Sequence, residues 1–160
     1  WGANLVWKWA PDGNPKYRNF KFQTEYFQRR ERGALECHEE DSNGAACDGV
    51  SDTYRRNQSG WYAQAVYQFT PNWRIGYRYD RLRSGTPRIG GTLAASVDTG
   101  SDIFVNFRPT RHSAMVDYSW SEFSRVRLQF ARDRSMQGIT DNQVTLQYIM
   151  SLGAHGAHKF

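Results

Sequence analysis

Between residues 144 and 152 every second position is apolar: Val144, Leu146, Tyr148, Met150 and Leu152, set against Thr145, Gln147 and Ser151, with Ile149 the one exception. A period of two predicts a β-strand with one greasy face and one wet face. The same design recurs upstream. Over 2–10, Leu5, Trp7 and Trp9 oppose Asn4 and Lys8; over 19–32, Phe20, Phe22, Thr24 and Tyr26 alternate with Lys21, Gln23 and Glu25. The third strand, 59–69, sets Trp61, Ala63, Ala65, Tyr67 and Phe69 against Tyr62, Gln64, Val66 and Gln68. The fourth follows from Trp73, with Ile75, Tyr77 and Tyr79 against Arg74, Gly76, Arg78 and Asp80. A fifth over 111–120 places Ala114, Val116, Tyr118 and Trp120 opposite Ser113, Met115 and Asp117. The sixth, 124–133, is the cleanest, with Val126, Leu128 and Phe130 against Arg125, Arg127 and Gln129. With the closing stretch from Asp141 this makes seven predicted strands, and no segment has helical periodicity.

The connections alternate in length. P-D-G-N-P (11–15), T-P-N (70–72) and S-E-F-S (121–124) are turn-sized. Long polar loops are predicted at about 33–53 and 84–110, the second holding Asp102–Phe107 as a candidate short strand. R-S-M-Q-G-I-T leads into the last strand. An antiparallel meander that keeps its long loops at one end is the pattern of an outer-membrane barrel, whose periplasmic turns are short and outer loops long.

Periodicity alone fits two solvents: a soluble sandwich with the aromatic face inside, or a barrel with that face in lipid and the polar face around a watery lumen. Three features favour the barrel. Aromatics cluster at strand ends near the short turns (Trp7, Trp9, Tyr67, Phe69, Trp73, Tyr118, Trp120), as interfacial anchors do. The strands run to about ten residues, enough to cross hydrocarbon when tilted. The loops divide into a short end and a long end. Composition agrees: only 39% of residues are hydrophobic but 15% are aromatic, which suits a thin apolar surface better than an aliphatic core. No run approaches a transmembrane helix, and none resembles a signal peptide; the Trp at position 1 is read as a processed or truncated start. The net charge of +5 is spread through the strands rather than gathered in a block, so no nucleic-acid partner is expected.

V-W-K-W-A-P-D-G-N-P, Q-S-G-W-Y-A-Q-A-V-Y-Q-F, W-R-I-G-Y-R-Y-D-R-L, S-E-F-S-R-V-R-L-Q and the closing D-N-Q-V-T-L-Q-Y-I-M-S-L-G-A-H-G-A-H-K-F carry a further signal. Together with the terminal Phe160 they resemble outer-membrane β-barrel proteins of Gram-negative bacteria. The closer resemblance is to the C-terminal part of a porin-like group labelled zinc-regulated or TonB-dependent outer-membrane receptors. It implies an antiparallel up-and-down transmembrane barrel of which 1–160 is a single domain, the C-terminal part of a longer chain. It also implies a lipid bilayer and the barrel-assembly machinery as partners, with further strands or other subunits completing the wall. His158, two before the terminal aromatic, departs from the hydrophobic residue usual in the assembly signal.

For chemistry, no nucleophile–base pair, phosphate-cradling glycine loop or zincin pattern is present, so no enzyme activity is expected. Lys21, Glu25, Arg74, Arg78, Asp80, Asp117, Arg125 and Arg127 share the polar faces and are the candidate solute path. Arg74, Arg78, Arg125 and Arg127 would flank Asp117 as a cationic ladder favouring anionic or zwitterionic solutes, or simply pair with carboxylates and pack the interior. Cys37 and Cys47 are read as a disulfide, with a metal site at Cys37, His38, Glu39, Glu40 and Asp41 as the alternative. His155 and His158 are a weak zinc candidate; otherwise no cofactor is expected. Trp7, Trp9, Trp73, Trp120 and Phe160 are the expected membrane-interface anchors. The function expected is a channel for small solutes, with a TonB-dependent receptor for metal uptake or a surface-binding barrel as alternatives.

Overall fold

The computed structural model describes residues 1–36, 49–91 and 106–151. The chain is an all-β, antiparallel sheet: β1 Gly2–Trp9, β2 Asn19–Glu36, β3 Ser51–Gln68, β4 Trp73–Arg83, β5 Arg88–Ile89, β6 Thr110–Ser121, β7 Ser124–Arg134 and β8 Asp141–Met150, with a 3-10 turn at Pro11–Gly13. The hydrogen-bonded order is β1-β2-β3-β4-β6-β7-β8, and the two-residue β5 adds to β3. Each strand of the main path neighbours the next in sequence, as the alternating pattern and short turns predict. No helix among the described residues is long and apolar enough to cross a membrane.

Several expected bounds change. β3 begins eight residues before the predicted Ser59 and β2 runs on to Glu36, so the predicted loop at 33–53 narrows from both sides. The second predicted loop contains a strand, but at Arg88–Ile89; of the candidate Asp102–Phe107, residues 102–105 lie outside the described residues, and Asn106 and Phe107 are not in a strand. Among the described residues the sheet does not close on itself: its path ends at β1 and β8, which do not pair. Seven strands on that path form an odd number, whereas single-chain bacterial barrels close with an even one.

The chain divides into two compact units. One comprises Trp1–Gly2, Phe27–Gly60 and Leu82–Arg108. Within it Gly60 is buried, and a Cβ there would collide with the Phe27 ring and meet a Leu82 methyl at 2.6 Å. Gly85 is required twice over: its φ is +73°, and a Cβ would run into the carbonyl oxygen of Asn57. Gly85→Ala is therefore expected to lower stability by about 1–3 kcal/mol, measured as a shift in the denaturant midpoint of the full-length protein.

The other unit comprises Ala3–Tyr26, Trp61–Arg81 and Pro109–Phe160. Its registers are continuous across four strands. Trp73, Tyr118, Val126 and Tyr148 make one cross-strand row; Ile75, Val116, Leu128 and Leu146 the next; Tyr77, Ala114, Phe130 and Val144 the third. Every member is apolar or aromatic. The intervening rows on the opposite face are Arg74, Asp117, Arg127, Gln147 and then Gly76, Met115, Gln129, Thr145.

Burial is inverted with respect to polarity. Val144 is 73% exposed, Leu146 74% and Leu128 47%, whereas the one large side chain fully buried among the described residues is the carboxylate of Asp117. Ala131 is the only buried hydrophobic residue among them. At about 4.8 Å between strands and about 6.7 Å between alternate residues, the three rows cover roughly 400 Å² in projection. Trp120 and Met150, of the same parity on β6 and β8, are also exposed. A contiguous apolar patch of that size is often functional. Beyond the Tyr77 row the face turns polar, at His112, Arg132 and Asn142, with the Tyr77 hydroxyl hydrogen-bonded to His112 Nδ1 at 2.6 Å.

Candidate functional site

The tight connection between β6 and β7 pairs Ser121 with Ser124, and an irregularity at Ser119/Ser121 brings Asp117 directly opposite Arg127. On the other side of β6, Asp117 faces Arg74 of β4. Alternation then points all three side chains to the polar face. Arg127 holds the carboxylate in a fork: Nε donates to Oδ1 at 2.7 Å and Nη2 to Oδ2 at 3.0 Å. Arg74 Nη2 and Arg125 Nη1 also approach Oδ2, at 3.4 and 3.9 Å. Three guanidiniums thus surround one buried carboxylate. A lone charge could not be buried at tolerable cost; a bidentate, charge-assisted pair with two further cations can.

Arg78 is engaged differently. It forks onto Asp80 two residues along the same strand, with Nε at 2.9 and 3.0 Å and Nη2 at 2.6 Å, and its guanidinium lies 3.8 Å above the ring of Tyr62. The Tyr62 hydroxyl accepts a hydrogen bond from Gln23 Nε2 at 2.7 Å. Glu25 is half-buried two residues beyond Gln23, and Lys21 is exposed.

Two clefts open on this face. One of about 630 Å³ is lined by Lys8, Lys21, Arg74, Asp117 and Arg127 among others. The second, about 620 Å³, is lined by Arg74, Arg125, Asn72, Ser119 and the short-turn residues. Arg74 belongs to both.

Of the predicted solute-path residues, the structure brings Arg74, Asp117, Arg125 and Arg127 into one cluster and Arg78 with Asp80 into another. Arg127 and Arg78 are each forked onto a carboxylate, while Arg74 and Arg125 make longer ion pairs to a carboxylate that Arg127 already holds. Missed in the sequence was a third group, in which Arg111 Nη1 meets Asp133 at 3.4 Å and Nη2 donates to Gln143 Oε1 at 3.1 Å. Arg111 has the parity of Asp117, so the alternation that selected one could have selected the other.

Trp7, Trp9, Trp73 and Trp120 are all exposed on their strands, and the Trp73 and Tyr118 rings pack directly across it at 4.8 Å. Cys37, Cys47, His38, Glu39, Glu40, Asp41, His155, His158 and Phe160 lie outside the described residues. Among the described residues, no group of three or more His, Cys, Asp or Glu side chains could hold a metal ion.

The whole chain aligns, at 28% identity over 164 residues, with a protein of Aquifex aeolicus (strain VF5) described as an uncharacterized protein. It spans about 30% of that relative's length. No family model matches the chain. No solved structure matches it.

Proposed function

We propose that the chain is part of the wall of an outer-membrane β-barrel channel in a Gram-negative bacterium, with its apolar face in lipid and its arginine-rich face lining a water-filled path for small solutes, anionic ones favoured. The observation that carries this reading is the inverted burial. A soluble sandwich would put Ile75, Leu128, Leu146 and Val144 inside and leave Asp117 to water; here those side chains are exposed and Asp117 is buried. Lipid is a solvent that suits such a face, and β4, β6, β7 and β8, at 10 to 12 residues each, have the length to cross it. The aromatics Trp73, Tyr118 and Trp120 near the short turns would supply an interfacial girdle. Further strands of a longer chain would pair with the β1 and β8 edges to close the wall.

A metal-uptake receptor and a surface-binding barrel share this wall and differ in what fills it. Planar-bilayer recording of the full-length protein tests the reading. Stepwise single-channel conductance with anion preference is expected; an inserted, folded barrel that never conducts would overturn it.

A further inference from the structure

We infer that Arg74 and Arg125 form a binding site for an oxyanion of the phosphate type, in the cleft at the short-turn end of the polar face. The inference rests on the channel reading, which makes that face accessible to solutes, and deepens it by assigning a ligand class and a place.

Three observations on one cleft carry it. The first is a charge imbalance. Arg74, Arg125 and Arg127 face the single carboxylate of Asp117, which leaves two positive charges, while Lys16 and Glu122 at the rim of the cleft cancel. The second is hydrogen bonding. Both oxygens of Asp117 are taken by the Arg127 fork, and the Arg74 and Arg125 contacts to Oδ2, at 3.4 and 3.9 Å, are ion pairs without hydrogen bonds. Arg125 Nε is buried with no acceptor, so this guanidinium gains a bond by turning towards an incoming oxygen. The third is access. The two side chains are 27% and 33% exposed, and both line the 620 Å³ cleft together with Asn72, Ser119 and Ser124.

The geometry points to an oxyanion rather than a halide. Since both Nη atoms lie on Oδ2, they are at most 7.3 Å apart, close enough for two forks to grip different oxygens of one tetrahedral anion. The neighbouring serine hydroxyls and the Asn72 amide can supply neutral donors, although Asn72 Nδ2 at present donates to the Ser119 carbonyl at 2.7 Å. Arg78 is excluded from this role by its fork on Asp80.

The test is calorimetric titration of the full-length protein with inorganic phosphate, in a detergent without phosphate headgroups so that only the free anion is read. Saturable binding is expected. Arg74→Gln and Arg125→Gln should each weaken it about tenfold to a hundredfold, and Arg125→Lys, which keeps the charge but loses the fork, should also weaken it. Arg132→Gln, which removes the same charge from the opposite face of β7, should leave affinity unchanged; heat-modifiable gel migration checks that each variant is folded. No phosphate binding by the wild type, or equal binding by the folded Arg74 and Arg125 variants, overturns the site. Conductance scores the channel separately: a conducting protein that does not bind phosphate refutes only the site, and a protein that binds phosphate through these arginines without conducting refutes only the channel.

Discussion

Leu128→Arg is expected to destabilise the full-length protein folded in phospholipid vesicles by about 2–4 kcal/mol, whereas Gln129→Arg, one residue along, should change it by less than about 0.5 kcal/mol. Leu128 sits in the middle of the three apolar rows, between Val116 and Leu146, on a strand paired on both sides. In lipid, an arginine there has no water and no partner at its depth, and snorkelling to the interface must run past the rows on either side. Position 129 shares the face of Arg127, where a cation meets a polar, wet surface. The contrast discriminates because a soluble protein gives a different answer. Leu128 is 47% exposed, and at the surface of a soluble sheet the same substitution would cost almost nothing and improve solubility. Urea midpoints of the two variants, refolded in parallel, provide the comparison.

The second large effect belongs to the buried carboxylate. Asp117→Ala is expected to lower stability by about 3 kcal/mol, the lower end of the range for breaking a buried pair, because the arginines it leaves behind are a quarter to a third exposed and partly hydrated. Arg74, Arg125 and Arg127 would then repel one another across β6 with nothing between them. Two consequences follow from that mechanism. Added salt should recover part of the loss by screening the repulsion. Removing Arg127 together with Asp117 should cost less than removing Asp117 alone, since taking out both partners of a buried pair is close to neutral. Equilibrium urea unfolding of the two variants at low and high salt measures both. A loss that is insensitive to salt and additive with Arg127→Ala would mean that Asp117 acts through packing.

The strands most legible in the sequence are those whose greasy face is unbroken. β7, predicted at 124–133, is observed at Ser124–Arg134, and β6 and β8 start within a residue of their predicted positions. The first half of β3 was not legible, for a physical reason. S-D-T-Y-R-R-N-Q carries one aromatic, so both faces are wet and period two leaves no trace, yet the backbone still pairs, with Tyr54 opposite Ile89 and Arg55 opposite Arg88. β5, two residues long, is too short to have a period at all. That Arg74, Asp117 and Arg127 share a face was readable from parity, whereas the direct pairing of Asp117 with Arg127 depends on the irregularity at Ser119/Ser121. Which arginine closes the fork was not readable, since it depends on rotamers and distances rather than register. Nor could alternation say which face meets which solvent: a strand with its apolar side in a core and one with that side in lipid are written alike. The lipid reading rests instead on the exposure of Val144, Leu146 and Leu128 against the burial of Asp117.

The central claim, that this apolar face meets lipid, is tested most directly by a nitroxide scan of residues 124–132 in the full-length protein in vesicles, with Cys37 and Cys47 replaced by serine. Labels at 126, 128 and 130 should collide with oxygen and be shielded from a water-soluble nickel complex, and labels at 125, 127 and 129 should show the reverse, in a period of two. Nickel access at 126, 128 and 130 equal to or greater than at their odd-numbered neighbours would contradict it.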